Sequence, residues 1–121
     1  MIEFAKLLQT ECQQVIPESF HEKNRKDKVV YPYLTYQYDV EGLTNHSDDI
    51  SIECDVFDFN TSYSRILKAE QDLKNHLNGM KKLTNEIYVR FRFVGSNPVP
   101  TGSDMVKRRN VRFSCKIDWR K

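Results

Sequence analysis

The sequence predicts an α+β fold: a four-stranded sheet, mixed or antiparallel, with helices packed on one face, in the order α-β-β-α-β-β. Three observations lead there. Residues 2–16 and 62–78 repeat apolar side chains at helical spacing, whereas 49–58, 86–95 and 108–119 alternate apolar with polar. The length, 121 residues with 39% hydrophobic and 30% charged content, suits a single domain, 1–121, that buries one core without covalent staples.

Taken in order, the first helix is marked by Ile2, Ala5, Leu8, Cys12 and Val15 and is stopped by Pro17. A polar loop, 20–28, follows. Residues 29–39, VVYPYLTYQYD, carry the Val, Tyr and Thr of a strand; Pro32 cannot donate to a ladder, so it marks an edge strand or the strand's start. After a loop at 41–48, Ile50, Ile52, Cys54 and Val56 point one way and Ser51, Glu53, Asp55 and Phe57 the other. The second helix has Ile66, Ala69, Leu73, Leu77 and Met80 as its stripe. Asn60, Thr61 or Ser62 would cap it, Gly79 would end it, and Arg65, Lys68, Asp72 and Asn75 would stay wet. Ile87, Val89, Phe91 and Phe93 share a face of the next strand, against Tyr88, Arg90 and Arg92. A loop with two prolines, 96–106, leads to the last strand, where Val111, Phe113, Cys115, Ile117 and Trp119 face the core and Arg112, Ser114, Lys116 and Asp118 face away.

Charge is segregated along the chain. Asp39, Glu41, Asp48, Asp49, Glu53, Asp55 and Asp58 fall in a stretch without Lys or Arg. Lys107, Arg108, Arg109, Arg112, Lys116, Arg120 and Lys121 fall in one whose sole acid is Asp118. Read as an acidic edge and a basic edge, this polarity is self-complementary only head to tail, which makes rings when the rotation closes. The three long loops would then order against neighbours. The triplet Lys107-Arg108-Arg109 would sit where a loop enters an edge strand and meet an acidic patch of an adjacent subunit or partner. The competing reading is edge protection, in which charge discourages stray strand pairing.

Other chemistry finds less support. Cys12, Cys54 and Cys115 are odd in number, widely spaced and in apolar phase, as core thiols are, so neither disulfides nor a zinc site is expected. Asp48, Asp49, Asp55 and Asp58 would serve a metal-dependent nuclease if they converged; a charge run is more commonly a wet face or an interface. His21, His46 and His76 lack motif neighbours and read as surface residues. No phosphate-binding or hydrolase motif occurs. Arg90, Arg92, Arg112 and Lys116 with Tyr88 could present a nucleic-acid surface, against which stand the acidic block and a pI near 8.4. Apolar runs are too short for a membrane helix, the N-terminus does not read as a secretory leader, and a cytoplasmic protein is expected.

From Tyr31 onward the chain resembles the tail terminator, or tail-to-head joining, family of long-tailed bacteriophages and prophages, the lambda minor tail protein U-like proteins. The resemblance rests on Tyr31-Pro32-Tyr33, the acidic strand Ile52 to Asp58, the helix Ser62 to Gly79, and the stretch Pro100 to Phe113 with its KRRNVRF. Phe57 stands where such families often carry Trp. The resemblance implies a non-enzymatic ring, commonly a hexamer, without catalytic residue, cofactor or metal. Such a ring caps the tail tube, stops its polymerisation and docks the connector of the DNA-filled head. Its partners would be copies of itself, the tail tube protein and a head connector or neck protein, with DNA only passing through the lumen and no membrane. It would be assembled in the host cytoplasm and reside in the virion at the tail–head junction. Subunit contacts are assigned to Lys107, Arg108, Arg109, Arg112, Asp48, Asp49, Glu53 and Asp55. Alternatives are another neck or head-completion protein, or a small nucleic-acid-binding protein.

Overall fold

Alternating sequences become strands because one row of side chains can be buried while the other stays wet, and such strands pair when their buried rows fall on the same face. A computed structural model describes residues 2–43 and 46–120. Thr44 and Asn45 of the expected 41–48 loop, and Lys121 of the basic group, lie outside the described residues.

The elements run α1 (Ile2–Val15), β1 (Ser19–His21), β2 (Tyr33–Gly42), β3 (Ser47–Phe59), α2 (Ser64–Leu77), β4 (Lys81–Leu83), β5 (Ile87–Pro98) and β6 (Val106–Trp119). They form one mixed sheet of six strands, in the order β1-β2-β3-β6-β5-β4. The pair β1–β2 is parallel and the other pairs are antiparallel. The α+β class is as expected, but the sheet has six strands rather than four. The two additions, β1 and β4, have three residues each, too few to show a period.

Both helices cover one face of the sheet. Ile50, Ile52, Cys54 and Val56 of β3 meet Val111, Phe113, Cys115 and Ile117 of β6, with Ile87, Val89 and Phe91 beside them. From above come Ile66, Leu73 and Leu77 of α2 and Phe4, Leu8 and Cys12 of α1, all buried. Each large side chain removed from water contributes about 1.5–3 kcal/mol, so the core rests chiefly on these rows. The stripe expected on α1 is corrected in part. Phe4 rather than Ile2 anchors it, and Ile2 is exposed.

Boundaries differ in consistent ways. Asn60 and Ser62 order the turn ahead of α2, Ser62 Oγ accepting from the Ser64 amide at 3.1 Å, while Tyr63 at the cap makes no side-chain bond. Gly79 has φ +80°, the left-handed conformation expected of it. Strands β2 and β3 extend into the expected 41–48 loop and β5 into the 96–106 loop, so both loops are shorter than anticipated. The Tyr31–Pro32 peptide is cis and immediately precedes β2. The three thiols are free and buried.

Candidate functional site

The face of the sheet away from the helices is formed by the second row of every strand. Its cross-strand rows follow from register: Thr35–Asp55–Asn110, Gln37–Glu53–Arg112, Asp39–Ser51–Ser114–Arg92, and Glu41–Asp49–Lys116–Arg90. Acids therefore lie on β2 and β3 and bases on β6 and β5, side by side along the centre of the sheet.

This corrects the expectation of separate acidic and basic edges. Strand β6 is central, between β3 and β5, because antiparallel pairing unites stretches that are far apart in sequence. The triplet does not enter an edge strand, and alternation splits it between two faces. Arg108 alone of the three lies on the open face. Its Nη2 is 3.3 Å from Asp55 Oδ2, and its guanidinium lies 5.2 Å from the centre of the Phe57 ring. Arg109 points to the helices, where its Nε donates to Glu70 Oε1 of α2 at 2.8 Å. Lys107 is buried; its ammonium caps the Tyr63 ring at 4.5 Å and donates to the Asp104 carbonyl.

The remaining assigned residues divide similarly. Asp48 Oδ2 accepts from Trp119 Nε1 at 2.7 Å, and Asp55 Oδ1 also accepts from Asn110 Nδ2 at 3.2 Å. Arg112 is opposite Glu53, but its guanidinium lies over Gly95 and donates to Asn97 and Asn110. A Cβ at Gly95 would come within 2.9 Å of that guanidinium. Glu53 accepts from Gln37 at 3.3 Å, and Asp49 stands exposed opposite Lys116. Thus Asp49, Glu53 and Arg112 lie on the outward face, whereas Lys107, Arg109, Asp48 and Asp55 are committed largely within the chain.

The four aspartates considered for nuclease chemistry do not converge. Asp49 and Asp55 lie on the open face, while Asp58 is fully buried on the helix side. There Arg65 clasps it, its Nε at 2.9 Å from Oδ1 and 3.0 Å from Oδ2. That hydrogen bonding raises the Arg65 pKa above its ordinary value. Among the described residues, no group of three or more His, Cys, Asp or Glu side chains is placed to hold a metal ion. No helix among them is long and apolar enough to cross a membrane.

Sequence reasoning missed an aromatic feature at one end of this face. The rings of Tyr33 and Phe57 stack at 4.6 Å and 11°, with Arg108 on the far side of Phe57 and Tyr31 at 5.6 Å from Tyr33. The stack borders a cleft of about 350 Å³ whose lining includes Glu22, Lys23, Gln37, Glu53 and Asp55. Burial, and secondarily Tyr31, raises the Tyr33 phenol above its ordinary pKa. The signal was the phase of Phe57, an aromatic among the outward residues of β3. His21, expected in a loop, stacks from β1 on Tyr36 at 5.2 Å, and His76 Nε2 lies 3.3 Å from the buried carboxylate of Glu11.

No family model and no curated protein sequence matches the chain. Its fold is shared. A chain of a solved structure described as "Virion of native gene transfer agent (GTA) particle" superposes with a TM-score of 0.70 at 10% identity, over 88% of this chain and 84% of that one. Identity that low establishes a common architecture, with no inference of shared residues.

Proposed function

We propose that this protein is a non-enzymatic structural subunit of a phage-like particle. In the finer form of the proposal it is the tail terminator, a ring that caps the tail tube, ends its polymerisation and receives the head connector. The observation that carries it is the fold held in common, over most of both chains, with a chain of a gene transfer agent virion. The resemblance of Tyr31-Pro32-Tyr33, Ile52 to Asp58 and KRRNVRF to tail terminators supports the finer form. The ring is homo-oligomeric, commonly six-membered in such proteins. Its partners are the tube protein below and a neck or connector protein above, with DNA passing through the lumen and the ring residing at the tail–head junction.

On this reading the contacts are reassigned among the residues of the sheet. Because Lys107, Arg109, Asp48 and the Asp55–Arg108 pair are engaged internally, partner proteins meet the rest of the open face, Asp49, Glu53 and, over Gly95, Arg112.

Polymerising tube protein with this protein added, viewed by electron microscopy, tests the reading. Tubes capped by a ring and arrested in growth are expected; unchanged tubes would overturn the terminator assignment. Binding to filled heads rather than tails would indicate another neck protein. Salt-sensitive retardation of DNA at low micromolar protein would favour nucleic-acid recognition.

A further inference from the structure

The two sides of the sheet end differently from its centre. On one side, β1 covers β2 only at Leu34–Tyr36. Glu22, at φ 69°, then turns the chain away, its amide donating to the Tyr36 carbonyl. Among the described residues no strand pairs with the outer side of β2 beyond that point. On the other side, β4 pairs with β5 at Tyr88–Arg90, and among the described residues no further strand lies outside it. Unpaired strand edges hold rows of unmet amides and carbonyls and invite pairing with another chain.

Backbone phase shows which groups are offered. Leu34 donates to Glu18 O and Tyr36 accepts from Glu22, so even-numbered residues of β2 aim outward; beyond them Tyr38, Val40 and Gly42 hold the same phase. On β4, Met80 O and Thr84 N bond inward to Phe91 and Ile87, which leaves Lys81 and Leu83 aimed outward. Side-chain phase is equally defined. Lys81 and Leu83 lie on the open face, opposite Arg90 and Tyr88, and Asp39 and Glu41 lie on the open face of β2.

We propose that β4 of one copy adds, in parallel, to the bare outer edge of β2 of the next copy, Lys81 opposite Asp39 and Leu83 opposite Glu41. The sheet then continues from subunit to subunit. This deepens the ring reading and rests on it.

Three features choose this pairing. In a parallel ladder an outward residue lies between two outward residues of its partner. Lys81 would then donate to Tyr38 O and accept from Val40 N, with its side chain and that of Asp39 on one face. Antiparallel addition would instead pair Lys81 with Val40, whose side chain is on the helix face, and so put the helices of successive copies on opposite sides. Second, the charges complement: the β2 edge carries Asp39 and Glu41 and no base, and β4 carries Lys81 and Lys82 and no acid. Pairing β2 with its own copy would oppose like charges, which excludes a twofold contact and favours a heterologous one. Third, each edge leaves an aliphatic side chain in water, Val40 at 45% and Leu83 at 65% exposure.

The test uses the full chain, with the tube protein added if the wild type assembles only in its presence. Asp39→Lys and Lys81→Glu should each abolish assembly by light scattering while leaving the thermal melt unchanged. An equimolar mixture of the two variants should regain it, since every interface in an alternating ring is again complementary. Val40→Pro removes an outward amide without touching the β2–β3 ladder and should also abolish assembly. A chain carrying Asp39→Cys and Lys81→Cys should give a ladder of covalent oligomers with a short bismaleimide, and neither single variant should. If the wild type forms rings but the variants assemble normally and the double-cysteine chain does not cross-link, the edge pairing is wrong and the ring stands. If the wild type remains a monomer with tube protein present, the ring reading fails and this inference with it.

Discussion

Arg109 changes meaning between the sequence and the fold. In the string KRR it is one of three adjacent positive charges; in the folded chain it is bonded to Glu70 on α2, both side chains mostly covered. Arg109→Glu should therefore lower stability, by about 1–3 kcal/mol, since it sets two carboxylates together in partial burial. A thermal or urea melt checks this, and the neutral Arg112→Gln, at a more exposed position, should shift the melt less. Cys115 supplies the pH prediction. Burial pushes its thiol up from 9.0 to about 12. The unfolded thiol releases its proton from about pH 9 and the folded one holds it, so the unfolded chain binds fewer protons and stability declines as pH rises through this interval. Burial raises the Tyr36 phenol in the same sense, and the Cys54 thiol is raised by its hydrogen bond with Cys12 and, after that, by burial. Melts at pH 8, 9.5 and 11 should show the decline; Cys115→Ala should reduce its slope.

At the scale of elements, period was readable and partners were not. The rows Ile50–Val56, Ile87–Phe93 and Val111–Ile117 stand where alternation put them, because only one face of the sheet has helices to bury it. On α1, Glu11 concealed the stripe: it is a polar side chain that is nonetheless buried, and it is tolerated through His76 and Lys82, contacts that depend on residues far along the chain. The loop reading of 20–28 failed at its start for a similar reason, since β1 exists only through its pairing with β2. Its turn can be tested. Glu22 at positive φ accommodates Gly readily and a β-branched residue poorly. Glu22→Val should lower the melting temperature, by about 1–2 kcal/mol in stability, and Glu22→Gly should not. In the core, Leu73→Ala should cost about 2–5 kcal/mol by leaving a cavity between α2 and the sheet.

For the whole molecule, the sequence suggested a dipole with its ends at opposite edges. The fold instead places β3 beside β6, where much of that charge is neutralised within one copy, as at Arg108 and Asp55. Linear charge segregation does not become spatial segregation when the two stretches pair, and nothing in a single sequence states which strands pair. The candidate site was thus legible as a charged sheet face but not as to which charges remain outward. Assembly that rests on opposed charges, as at Asp39 and Lys81 of successive copies, predicts affinity that falls with salt. Sedimentation at 50 mM and 500 mM NaCl should show the high-salt sample shifted toward smaller species.

The middle position of β6 also governs when folding can finish. During synthesis the first five strands emerge as two unconnected halves, β1-β2-β3 and β4-β5, with a gap that only residues 106–119 can fill. Until Trp119 clears the ribosome's exit tunnel, β3 and β5 each display a raw flank beside half a core. A nascent chain stalled before that point should bind trigger-type chaperones and succumb to proteases, and the protected form should arise in one late step.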